Sequence, residues 1–217
     1  MSPDTRIHSE AGPRYLDREA LARALPASRA DTLTTFALFE QVLPQLVVPQ
    51  RAELNPPLWE LGHIGWFAEW WLSRNLQRHL GRRADPAATR LASIEPGADG
   101  WYNSGLVAHD SRWSLELPAL DDIRRYLLDT LESNLELLEK TPDEDDALYF
   151  YRLSLFHEDM HGEAWVYMAQ TLGLPLQVAM PGPVPTSAPL LVPATRWSLG
   201  LADLGGFNFD NERPAHV

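Results

Sequence analysis

No cysteine occurs among the 217 residues of this chain. That excludes a disulfide scaffold and a cysteine nucleophile, and any metal site must use His, Asp or Glu. Positive charge is also scarce, with 18 Lys and Arg against 30 Asp and Glu and a net charge of -12. Phosphate binding runs on Lys and Arg, so neither nucleic acid nor an anionic membrane is an expected partner. No run of 18 apolar residues is present, so no membrane span is expected. The N-terminus, MSPDTRIHSEAGPRY, lacks the apolar stretch of a signal peptide. Together these absences make a cytoplasmic protein the expectation. What is present is an ordinary globular balance, 45% hydrophobic and 22% charged, which excludes a wholly disordered chain. Eight tryptophans are the unusual feature, and their rings need a large core or a site to line.

The patterning is mainly α. Residues 1–27 read as a tail and a short amphipathic helix, Asp17 to Leu25, ended by Pro26. Ser28 then caps a helix to about Val47, with Leu33, Phe36, Ala37, Glu40, Leu43 and Val47 at three- and four-residue steps. Asn55-Pro56-Pro57 opens an aromatic helix from Leu58 to about Leu80, since proline is tolerated in a first turn. Gly81 to Gly100 and Trp101 to Trp113 read as loop. Pro118 opens a fourth helix, broken at Thr141-Pro142. The acidic run 143–146 starts a fifth, which runs to Leu172 with Gly173 as its left-handed terminus. Four long helices over 28–178 describe a four-helix bundle. Five prolines between Pro181 and Pro193 mark 179–193 as a linker, and 194–217 read as the first strands of a second, mixed α+β domain.

Chemistry concentrates in Leu155-Phe156-His157-Glu158-Asp159-Met160-His161. Positions i and i+4 of a helix stand one above the other, so both imidazoles can reach one ion, and imidazole suits zinc, iron, copper and nickel. The spacing is also that of the H-E-x-x-H metalloproteases, whose glutamate acts as base. A downstream third ligand of the usual kind is missing, because the next histidine after His161 is His216, beyond the linker. His63, midway along the aromatic helix, is the alternative third ligand. A single histidine on an apolar face is also a common core residue, so ordinary packing competes with ligation for each of the three. His8, His79 and His216 read as surface residues, the tryptophan cluster as core and the acidic run as a solvated helix start. Glu158 and Asp159 fit either a role behind the imidazoles or an exposed helix face.

Three segments, W-x-L-x-H (Trp59 to His63), H-E-x-x-H (His157 to His161) and G-G-F-x-F-D-N-E-R-P-x-H (Gly205 to His216), give the chain a resemblance to the ergothioneine sulfoxide synthases and their relatives. Those proteins join a DinB-like four-helix domain to a formylglycine-generating-enzyme-like domain. The resemblance implies that His63, His157 and His161 hold iron(II). It further implies that O2 is used to join a sulfur or selenium donor to the imidazole C2 of Nα-trimethylhistidine (hercynine). Members using γ-glutamylcysteine resemble F-N-S-Y-Y followed by two arginines three apart. Here Tyr102-Asn103-Ser104-Gly105 stands in that place, with Arg112 at the first arginine and Leu115 at the second. That departure makes the selenoneine synthases, which use a selenosugar, the better resemblance, with Arg112 as a substrate-binding candidate. The family's catalytic tyrosine lies in the second domain, so these 217 residues alone are expected to bind metal but turn over poorly or not at all. Two other readings stay open. One is a DinB-like zinc- or nickel-dependent thiol transferase or hydrolase on the same histidines, and the other is a non-catalytic helical module.

Overall fold

The structure is a computed structural model that describes residues 12–175, 188–189, 191–194, 196, 198–200, 205–212 and 215–216. The tail before residue 12 and most of the 179–193 linker lie outside these. The described residues form five α-helices: α1 (Arg18–Val42), α2 (Pro57–Trp71), α3 (Ala98–Tyr102), α4 (Leu120–Glu139) and α5 (Asp145–Leu172). The described residues are therefore mainly helical, as the periodicity predicts. None of the helices is long and apolar enough to cross a membrane, among the described residues.

Pro26 does not end a helix. Asp17 caps α1 by accepting the Ala20 N–H, and the helix runs through Pro26 to Val42. Pro26 removes one helical hydrogen bond at a cost of about 3 kcal/mol. Burial on either side offsets it, because Leu21, Leu25, Arg29, Thr32, Phe36 and Phe39 all face inward. The helix stops at Val42 rather than Val47, since Pro44 disfavours helical backbone at the preceding residue, and Gln45 and Leu46 turn to positive φ. Pro57 does start α2, but that helix ends at Trp71, not Leu80. Beyond it Arg74 leaves the helix to grip Asp99 with two bonds of 2.7 and 2.8 Å. Gly173 terminates α5 at φ 67°, as its position after Leu172 predicts.

α1 and α2 each pack against both α4 and α5, which gives the ring order α1, α5, α2, α4. α2 is the inner helix, with 11 of its 15 residues buried. Phe36 and Phe39 meet the Trp165 indole edge-on at one end of the core. Leu21, Leu25, Leu148, Tyr151 and Leu155 fill the other end. A third cluster, Trp59, Trp66, Ala98, Tyr102 and Tyr126, packs α3 and α4 onto α2. The 72–97 segment is tied to α2 by the buried Glu69 carboxylate, which accepts from Tyr126 Oη, Ser93 Oγ and the Ile94 N–H at 2.6 to 2.7 Å.

At the C-terminal end, Ser198–Leu199 pairs antiparallel with Ala215–His216. Residues 205–212 lie on the bundle. Phe207 is buried against Tyr149 and Phe156 of α5, and Arg14 bonds both Glu212 oxygens and the Phe207 carbonyl. Gly206 sits at φ 72°, where a Cβ would stand 2.6 Å from the Tyr15 ring, so only glycine fits.

Candidate metal centre

His63 reaches the bundle interior from the middle of α2, and His157 and His161 reach it from one face of α5. Their ligand nitrogens lie within 4.8 Å of one another, the only such group of three among the described residues. His63 and His157 are buried and His161 is partly so. The ring centroids of His63 lie 5.0 Å from His157 and 5.1 Å from His161.

Each ring is held from behind. His63 Nδ1 lies 2.8 Å from the Tyr102 carbonyl oxygen, which can only accept, so His63 carries its proton on Nδ1 and offers Nε2 as a lone pair. Trp59 and Trp66 flank the His63 ring, stacked at centroid distances of 4.8 and 5.7 Å. Phe67 lies flat on His157 at 3.5 Å. His161 turns Nδ1 to Glu60 Oε1 at 2.5 Å, which leaves its Nε2 3.1 Å from His157 Nε2. Of the α2 tryptophans, Trp59 and Trp66 are buried and also flank His63, while Trp70 and Trp71 are half-buried against the core clusters.

Burial drives the His63 pKa down to about 4, helped by the nearby His161 and Arg112 and opposed by the Tyr102 carbonyl and Glu60. Burial, then His161 and His63, holds His157 well below its ordinary value. Both are neutral donors at pH 7. Burial alone would raise Glu60, but the His161 hydrogen bond, the neighbouring His161 and His63 and the Asn55 bond outweigh it, and its pKa falls below the usual carboxylate range.

By its donor set this cluster suits a metal ion, and the 4.8 Å spread of its nitrogens has to close slightly for all three to share one ion at ~2.1 Å. Two ligands ~2.1 Å from a shared ion and at right angles lie ~3.0 Å apart, close to the 3.1 Å between the His157 and His161 nitrogens. Nitrogen donors of this kind suit a first-row transition metal. Three protein ligands leave positions open for other molecules.

Glu158 takes no part in the cluster. Its carboxylate is bound by Arg29 Nε and Nη2 at 2.7 and 3.1 Å, in a buried pair that also ties Arg29 Nη1 to the Leu127 carbonyl. Asp159 accepts from Ser28 Oγ near the surface. The glutamate of this H-E-x-x-H is therefore structural, unlike a protease base. Arg112 lies 3.7 Å above the Trp59 ring and donates to Asn55 Oδ1 at 2.7 Å, which places it one residue away from the imidazole cluster. Leu115 packs against the Trp59 and Tyr102 cluster. His109 bonds the Leu54 carbonyl, and exposed His79 lies apart from the cluster.

Glu60, Asn55, the Tyr102 carbonyl and Arg29 were not singled out by sequence reasoning. Two signals could have found some of them. Glu60 precedes His63 by three residues, on the same helix face. Arg29 falls four residues after Leu25, in a register that is otherwise inward-facing. Nothing local marks Asn55 or a backbone carbonyl.

No known protein-family profile matches the chain. It is 32% identical over 212 residues to a protein of Mycolicibacterium smegmatis named hercynine oxygenase. It is 30% identical over 211 residues to proteins of the same name from Mycolicibacterium thermoresistibile and Mycobacterium tuberculosis. Each alignment covers 92% of this chain, and 43 to 45% of the relative. The chain thus spans less than half the length of the curated relatives it matches.

Proposed function

We propose that this chain carries the metal site of a non-heme iron(II), O2-dependent enzyme acting on hercynine. The enzyme joins a chalcogen donor to the imidazole C2, and a selenosugar is favoured over a thiol. The observation that carries this reading is the grouping of the His63, His157 and His161 nitrogens within 4.8 Å of one another in the bundle interior. The hercynine oxygenase name of the mycobacterial relatives supports the substrate. His63, His157 and His161 would hold the ion through Nε2. Iron(II), when bound, supplies one-electron chemistry with O2 that no side chain here can supply.

The chain's own residues do the rest. Tyr102 and Glu60 fix the outer nitrogens of two ligands, while Trp59, Trp66 and Phe67 wall the rings from water. Arg112, fixed over Trp59, is the candidate for an anionic group of a substrate. Leu115, in place of a second arginine, leaves the donor pocket less cationic, which suits an uncharged sugar better than a γ-glutamyl thiol.

Anaerobic equilibration with Fe(II), followed by metal analysis, tests the reading. One equivalent of iron is expected, and His63→Ala should abolish it. Zinc or nickel in the chain as purified, with no uptake of Fe(II) after that metal is stripped, would favour the thiol transferase or hydrolase alternative, and no metal at all would reduce the bundle to a packing module. The donor is read from ligand-induced thermal shifts of the iron-loaded chain. A shift with a selenosugar but not with a thiol donor supports selenium, and the reverse supports sulfur.

A further inference from the structure

The Glu60 carboxylate is almost wholly inaccessible, at 1% exposure, yet both its oxygens are spent on a single directed chain. Arg112 donates to Asn55 Oδ1 at 2.7 Å. That contact turns the other end of the Asn55 amide, Nδ2, toward Glu60 Oε2, also at 2.7 Å. The polarity is forced, because an arginine has no acceptor to offer and an amide has one donor end. Glu60 Oε1 then faces His161 Nδ1 at 2.5 Å. A carboxylate can only accept, so the imidazole must donate from Nδ1 and present Nε2 inward.

We propose that Glu60 is the positioning residue of the metal centre. It fixes the tautomer and ring angle of His161, and is itself aimed by Asn55 and Arg112. The inference rests on the metal reading above. Partners behind a ligand of this kind orient the ring and raise its basicity, and their loss typically weakens metal binding by about 10- to 100-fold. The three ligands are backed unequally. His63 leans on a neutral carbonyl and His161 on a charged carboxylate, so Glu60 also places one compensating negative charge beside a divalent ion. A consequence is that Arg112 has a second duty besides any substrate contact. Through Asn55 it holds the carboxylate that holds His161.

Glu60→Gln tests this. The amide keeps the shape, but its NH2 would oppose the Asn55 NH2 or face the His161 N–H. Co(II) titration of the chain in competition with a chromophoric chelator reads affinity, and the Co(II) visible absorption reads ligand geometry. The expected result is about 10- to 100-fold weaker Co(II) binding with an altered absorption band, in a metal-free variant that circular dichroism shows to be folded. Unchanged affinity and spectrum in Glu60→Gln, with binding still lost in His63→Ala, would overturn the inference and leave the metal reading standing. Failure of the parent chain to bind Co(II) or Fe(II) would instead overturn the metal reading. A second measurement needs no variant: 15N chemical shifts of the histidine rings in the Zn(II)-loaded chain should show His161 protonated at Nδ1. A proton on Nε2 would refute the assignment.

Discussion

Glu158 offers a sharp test, because the H-E-x-x-H spacing and the structure assign it opposite roles. On a helix Glu158 lies about 100° around from His157, and its carboxylate meets Arg29 rather than the imidazoles. Both side chains are only 6% exposed. Glu158→Gln therefore leaves the Arg29 guanidinium buried without its counter-charge. Breaking such a pair from one side costs about 3–5 kcal/mol. Against a total stability of about 5–15 kcal/mol, that is a large fraction. Replacing both partners by apolar residues of similar volume, as in Arg29→Met with Glu158→Met, should recover most of the loss, since the desolvation of two charges disappears with them. Urea unfolding followed by circular dichroism gives the stabilities, and metal analysis on the folded fraction gives the stoichiometry. The expected pattern is a large loss of stability in the single variant, recovery in the double, and one equivalent of metal in both. A Glu158→Gln variant as stable as the parent would refute the structural assignment of the buried Arg29–Glu158 pair.

Two further outcomes follow from the packing and charge of the cluster. Gly62→Ala should gain about 1 kcal/mol from helix propensity alone, but its Cβ would land inside the Tyr102 ring, which is buried and cannot swing away. Overpacking costs about 1–3 kcal/mol and displaces the carbonyl that holds His63. Thermal unfolding should therefore show net destabilisation together with weaker metal binding, and a stabilised variant would contradict the close approach. The metal-free chain should also lose stability in mild acid. The His63 pKa falls from 6.5 unfolded to about 4 folded. Its neutral form contributes stability that is fully present above pH 6.5 and lost as pH falls toward 4. The fall from 6.5 to about 4 corresponds to about 3 kcal/mol. Urea unfolding in chelator at pH 7.5 and 5, for the parent and His63→Phe, reads the difference. An equal pH dependence in both would remove His63 as the source.

The site was more legible than the helix boundaries. The i, i+4 pair His157 and His161 announces itself by spacing, and His63 stands out as an imidazole in the middle of an apolar aromatic helix. What hid was everything that depends on tertiary contact. Pro26 reads as a stop until Leu21, Leu25 and Arg29 are seen to be buried around it. Trp71 ends α2 although the sequence continues with helix-forming residues, because Arg74 is drawn off to Asp99. α3, only Ala98–Tyr102, is too short to show a period, yet it supplies the carbonyl behind His63. Glu158 fits either a place behind the imidazoles or an exposed face by sequence, and only the fold shows it buried against Arg29. Glu60 carries no local mark of its role, and only the packing of α2 on α5 brings it to His161.

Whether the three imidazoles share one ion can be seen directly. Crystals of the Fe(II)-loaded chain, measured on either side of the iron absorption edge, address it. One anomalous peak, bonded to Nε2 of His63, His157 and His161, is expected. A peak elsewhere, or a His63 ring turned away from an ion held by the α5 pair alone, would contradict it.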